Sequence, residues 1–311
     1  MEKPMDSYED GLARVAAVWA DQAAGWRVGR GVHWVEHERV QARINYKVTD
    51  DHAIDRYQYF VRKYFAGRTP VDRVLTLGCG AGELERGLAA YDFCRQHDAF
   101  DISDGAIARA IEASVAAGLS HTHYRVADLN QIVLEPEHYD VVFGVSSVHH
   151  VAALEHLFEQ VSKALKPGGY FFLDEFVGPS QFQWSSAQLD AVNRTLLAMP
   201  VPFRRSVTQK GALKPAVVRP TIESMNQFDP SEAIRSGAIL PLLPRYFDIV
   251  EIKGQGGSLL HLLLEDIVGN FDERNEGSIA YLDSLFELED RLIADGVLGH
   301  DFATIVARKR A

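Results

Sequence analysis

Three glycines at alternate positions, Gly78, Gly80 and Gly82, follow the apolar run Val74-Leu75-Thr76-Leu77 and open onto a helical pattern. A strand, a tight turn and a helix start in that order make a ligand cradle. One glycine permits the sharp turn, and the others let the backbone approach a ligand with no Cβ in the way. The spacing is G-x-G-x-G, and Glu83 stands where a dinucleotide fingerprint places its third glycine. A carboxylate in the first helical turn repels a pyrophosphate and suits a ligand with positive charge and no phosphate. S-adenosylmethionine, which carries a sulfonium and an ammonium group, has that character.

Further chemistry-bearing residues follow at intervals. Asp101 lies 23 residues after Gly78, in Phe100-Asp101-Ile102-Ser103, where an acidic side chain can accept from both hydroxyls of a ribose. Asp128, in Val126-Ala127-Asp128-Leu129-Asn130, has the place of a partner for an adenine amino group, or of a turn-forming Asp. The pair His149-His150 comes just after an apolar run, and an imidazole there titrates in the range useful to a general base. His149 is the first candidate base, with His150 and Glu175 as its rivals. His33 and His37 have i, i+4 spacing, but no H-E-x-x-H pattern or third ligand accompanies them, so no metal site is expected. Cys79 and Cys94 are the chain's two cysteines, too few for a disulfide framework, and both read as reduced packing residues.

Elements that would position these residues alternate along the chain from Val71 onward. Strands are expected near Arg73–Leu77, Ala99–Ile102, Thr122–Val126, Val141–Val145 and Tyr170–Leu173, with helices over Gly82–Ala90, Gly105–Ala117 and Leu154–Leu165. Lys166-Pro167-Gly168-Gly169 reads as a helix stop and a turn. The alternation breaks between Glu175 and Tyr246, and late strands at Phe247–Lys253 and Phe302–Arg308 complete the sheet. Before the core, helical patterns cover Tyr8–Arg27 and Asp55–Phe65, separated by a mixed aromatic and charged stretch around Trp34. Four parts result: a helical lid at 1–70, a ligand-binding core at 71–178, an inserted substrate or lid segment at 179–245, and the completion of the sheet at 246–311. Trp34, Trp184 and Asp229–Ser236 are expected to cover the site.

With 311 residues, 47% of them hydrophobic, the chain can bury a sizeable core. Its net charge of −11 argues against binding a phosphate backbone as the main business. The acidic N-terminus lacks the apolar core of a signal peptide, and no apolar run approaches the length of a membrane span. A cytoplasmic protein with a small-molecule substrate and no nucleic-acid or membrane partner is expected; a homodimer is left open.

The glycine turn, Asp101, Asp128, Tyr139-Asp140-Val141-Val142-Phe143 and Leu165-Lys166-Pro167-Gly168-Gly169 together resemble the class I S-adenosylmethionine-dependent methyltransferases, from Val74 to Leu173. The resemblance implies a Rossmann-like, doubly wound α/β fold with a seven-stranded sheet whose last strand is antiparallel. It also implies donor contacts at Gly78, Cys79, Gly80, Asp101, Ile102, Asp128, Leu129 and the backbone near Val145. One departure stands out: many members carry an acidic residue two positions before the first glycine, and this chain has Thr76. Glu175–Trp184 and Asp229–Ser236 are similar to segments of a bacterial subgroup linked to glycan and secondary-metabolite pathways. An O-methyltransferase acting on a sugar or other polar metabolite is the expectation, with N- or C-methylation second. A non-catalytic donor-binding module and a nucleic-acid methyltransferase are the remaining alternatives.

Overall fold

A computed structural model describes residues 13–16 and 31–310. The expected helix at Tyr8–Arg27 lies mostly outside the described residues, which retain one helical turn of it at 13–16. All seven expected strands form: β1 (Val71–Leu77), β2 (Cys94–Asp101), β3 (Thr122–Val126), β4 (Tyr139–Val145), β5 (Leu165–Phe176), β6 (Phe247–Gly256) and β7 (Phe302–Lys309). They make one sheet in the order β3-β2-β1-β4-β5-β7-β6. The first five are parallel, and β7 runs antiparallel between β5 and β6.

Burial follows from this order. The central β1 from Val74 onward and β4 from Val141 to Gly144 are buried without a break because helices cover both faces of a parallel sheet. Edge strand β3 is half-exposed throughout and carries His123 and Arg125 instead. Helices Glu83–Ala89, Asp104–Ala116 and Leu154–Ala164 supply the crossovers. Leu154, Leu157, Phe158 and Val161 sit at helical spacing and pack with Phe171, Leu173 and Phe247 of the sheet. Strand order reverses between β1 and β4, which opens a crevice beyond their carboxyl ends.

The turn expected at Lys166–Gly169 is instead the irregular start of β5. Pro167 has no N–H to give the ladder, and Gly168 takes a φ of +76°. The pairing with β4 accordingly jumps from Tyr139–Leu165 to Val141–Tyr170.

The parts flanking the core share a second apolar cluster rather than forming separate covers. Trp34, Val40 and Ile44 from the N-terminal part meet Trp184, Val192 and Leu196 from the insertion, and Leu260, Leu263, Leu282 and Phe286 from the C-terminal part. Trp34 and Trp184 are 3% and 6% exposed, so both are core residues, and the expectation that they cover the site is corrected. Trp34 packs on Phe302, and Trp184 stacks on Phe182.

Candidate active site

The crevice at the strand reversal holds a cavity of about 620 Å³. Gly78, Cys79, Gly80, Asp101, Ile102, Asp128, Leu129, Val145 and His150 all line it, together with Thr76 and Glu83. His149 and Glu175 are not among its lining residues and stand behind His150.

The glycine loop is seated on the β4 loop. Gly78 has a φ of +68°, and a Cβ there would lie 2.3 Å from Ser147 Cβ. Ser147 Oγ in turn donates to the carbonyl of Leu77 at 2.6 Å. Asp101 reaches across from the end of β2: Oδ2 accepts from Gly80 N–H and Oδ1 from Ser103 N–H, both at 2.9 Å. Burial raises its carboxyl above the usual range, against the pull of those backbone donors. Asp128 Oδ1 accepts from the backbone and side-chain amides of Asn130, an Asx turn that aims the loop after β3 at the cavity. The thiol of Cys79 is pushed up by burial, which suits packing and not nucleophilic attack.

Beneath the loop lies a buried polar group that sequence patterning did not single out. Glu85 is fully buried on the helix after the glycines, and neither of its oxygens makes a hydrogen bond among the described residues. Burial pushes it up to about 7. His97 Nε2, 3.9 Å away, is bonded to Thr76 Oγ1 at 2.9 Å, and burial lowers that imidazole to about 3.

At the other end of the cavity the side chains come from three separate segments. His149 Nδ1 bonds Glu175 Oε2 at 2.6 Å, and Glu175 Oε1 accepts from Ser147 N–H and Val148 N–H at 2.8 Å each. Both oxygens of this fully buried carboxylate are thereby committed, so Glu175 orients His149 and does not itself face a substrate. Burial opposes a charge on His149, but Glu175 outweighs it and the imidazole is raised. The His150 ring packs against His149, tilted by 41° with centroids 4.2 Å apart, and is lowered by burial and by that neighbour. From the insertion, Ser231 Oγ bonds His150 Nδ1 at 3.0 Å, and Glu232 approaches the Nε2 atoms of His149 and His150 at 3.7 and 3.9 Å.

Of the insertion's Asp229–Ser236 segment, Ser231 lines the cavity. The segment is docked by Arg235, bidentate on Glu155 at 2.6 and 2.7 Å, and by Ser236 Oγ on the carbonyl of Gly178 at 2.9 Å. His33 and His37 take different partners, Glu265 at 2.9 Å and the carbonyl of Phe271 at 3.0 Å, and do not converge. Asp55, Tyr57 and Tyr91 also line the cavity and went unread. Asp55 caps the helix Arg56–Phe65 through the N–H groups of Tyr57 and Gln58 and accepts from Tyr91 at 3.1 Å. Its one sequence signal was its place at a helix start, which marks a cap at any helix.

Comparison with known proteins bears on this arrangement. Residues 75–173 match a family model described as a methyltransferase domain. A sterol 24-C-methyltransferase of Candida albicans is 32% identical over 106 residues, 34% of this chain and 28% of that protein. The 27-O-demethylrifamycin SV methyltransferase of Amycolatopsis mediterranei is 26% identical over 43% of this chain and 52% of its own length. The chain thus spans about a third of the length of the sterol methyltransferases it matches. Among solved structures, phosphoethanolamine N-methyltransferase 2 of Haemonchus contortus, with S-adenosyl-L-methionine bound, superposes with a TM-score of 0.55 at 18% identity. That superposition covers 100% of this chain and 62% of the other, and it shows a shared fold.

Proposed function

We propose that this chain, in which residues 75–173 form a class I methyltransferase domain, transfers a methyl group from S-adenosylmethionine to a hydroxyl of a small polar metabolite, a sugar or a secondary metabolite, in the cytoplasm. One observation carries the reading. Asp101 ties the glycine loop at the mouth of a cavity whose helix start bears Glu83 and whose far end bears His150, with His149 packed against it. The donor's ribose lies on Asp101 and its adenine near Asp128 and Leu129. The amino-acid part runs over the glycines toward Thr76.

A sulfonium is already a strong electrophile, so the protein's task is alignment and exclusion of water. The acceptor oxygen bonds the methyl carbon as the sulfur–methyl bond breaks, and the electron pair of that bond stays on sulfur. The hydroxyl proton goes to the histidine pair, whose orientation Glu175 holds. C- or N-methylation is the second reading, favoured by the sterol and phosphoethanolamine enzymes among the matches. Incubation with methyl-labelled donor and a metabolite extract tests the proposal. Label on an oxygen of a small product supports it; label on carbon or nitrogen selects the second reading. Donor binding without turnover on any fraction would leave a non-catalytic module.

A further inference from the structure

We propose that His149, His150 and Glu232 form a binding site for one divalent cation of the zinc class, at the acceptor end of the donor cavity. The three side chains each present a ligand atom, and these atoms all lie within 4.8 Å of one another. Two imidazoles and a carboxylate make a donor set used by catalytic zinc, which leaves a coordination position for substrate or water.

Hydrogen bonds behind the cluster set which nitrogen of each ring faces in. Ser231 Oγ donates to Asp229 Oδ1 at 2.7 Å, so its bond with His150 is accepted from Nδ1–H. Glu175 likewise takes the Nδ1–H of His149. In the neutral rings each Nε2 then carries the lone pair, and both Nε2 atoms face the Glu232 carboxylate. Nitrogen lone pairs turned toward a carboxylate repel it unless a proton or a metal cation stands between them. A carboxylate or hydroxyl holding the distal N–H is also the usual second partner of a metal-bound histidine. Asp229 reinforces the demand for positive charge: it is 1% exposed, and its Oδ2 makes no hydrogen bond among the described residues. That oxygen lies 4.0 Å from His150 Nδ1.

Separations of 3.7 and 3.9 Å between Nε2 and carboxylate oxygen are close to those between ligands of one ion with bonds of about 2.0–2.2 Å. Small rotations of the Glu232 side chain, which is 21% exposed, would close the set. Since His150 and Ser231 also line the donor cavity, the ion would stand beside the transferred methyl group. It would displace any proton from the imidazole pair and take over acidification of an acceptor hydroxyl. Occupancy itself does not rest on the methyl-transfer reading.

The test is metal content of the full chain, stripped with chelator and dialysed against Zn²⁺ or Mn²⁺, with S-adenosylhomocysteine binding measured on the same samples. One ion per chain is expected, with affinity lowered by at least about tenfold in His150→Gln and Glu232→Gln, and with S-adenosylhomocysteine still bound by Glu232→Gln. X-ray absorption on the zinc-loaded wild type should read two imidazole nitrogens, and this holds even if a variant fails to fold. No stoichiometric ion, unchanged affinity in both variants, or a shell without histidine would overturn the proposal. Metal-free protein that binds S-adenosylhomocysteine would leave the methyltransferase reading intact and assign the cluster a shared proton.

Discussion

The two ends of the cavity are built from different materials. The donor end is mostly backbone: a glycine turn, the amides of Gly80 and Ser103, and one carboxylate that collects them. The acceptor end is mostly side chain, with His149 and His150 after β4, Glu175 on β5, and Asp229, Ser231 and Glu232 from an insertion more than fifty residues further on. A backbone site comes with the fold and serves any chemistry that uses the same ligand. A side-chain site can be rebuilt by exchanging an insertion, which is how one fold takes many acceptors.

The comparison breaks most visibly at His149. His149→Gln removes the inward nitrogen and should lower kcat by roughly 10²–10⁴-fold, while affinity for S-adenosylhomocysteine stays within about twofold. Equal losses in both would mean that the ends are not separable. Single-turnover rates and calorimetry on the same preparation read the two quantities.

The same division decided what could be read from the sequence. Donor-end residues follow one another within a strand–turn–helix unit and the two strand ends after it, so local spacing places them. Five of the seven strands lie within a few residues of their expected bounds; β5 starts five residues early, at Leu165, and for β2, whose first half is Cys94-Arg95-Gln96-His97-Asp98, only the second half was legible. His149 and Glu175 were flagged by lying just past β4 and at the end of β5, but their bond depends on the β4–β5 register. Glu232 was flagged only as part of the Asp229–Ser236 segment, because its approach to His149 depends on how an irregular insertion docks. Trp34 and Trp184 misled for a related reason. Their polar neighbours suggested a surface, yet Glu36 is spent on the N–H groups of Gly31 and His33, and the indoles pack inward.

Trp184 sharpens the contrast between cover and core. Truncation of a buried aromatic costs about 3–5 kcal/mol, so Trp184→Ala should lower the urea midpoint markedly. The folded fraction should bind S-adenosylhomocysteine with wild-type affinity. Weakened binding at unchanged stability would restore the indole to a lid.

A smaller effect separates the donor end from the ground beneath it. Glu85 titrates near 7 in the folded protein against 4.5 when exposed, because burial disfavours its charge. The folded state therefore holds that proton to higher pH than the unfolded chain does. Stability should be fullest below pH 4.5 as far as this group is concerned, and should fall as pH rises through 7. The loss is about 3 kcal/mol at about 1.4 kcal/mol per unit. Glu85→Gln should remove most of that fall, seen as a flatter urea midpoint between pH 5 and pH 8. An unchanged slope would place the pH dependence elsewhere.

The central claim is that the backbone-built end holds S-adenosylmethionine through Asp101. Calorimetric titration of S-adenosylhomocysteine into wild type and Asp101→Ala tests it most directly, with NAD as the control ligand. One site per chain is predicted for the wild type, with affinity lower in the variant by roughly 1.5–3 kcal/mol, or about 10- to 150-fold. NAD should give no measurable heat, since Glu83 opposes a pyrophosphate. Tight NAD binding, or an Asp101→Ala protein that binds S-adenosylhomocysteine like the wild type, would contradict the account.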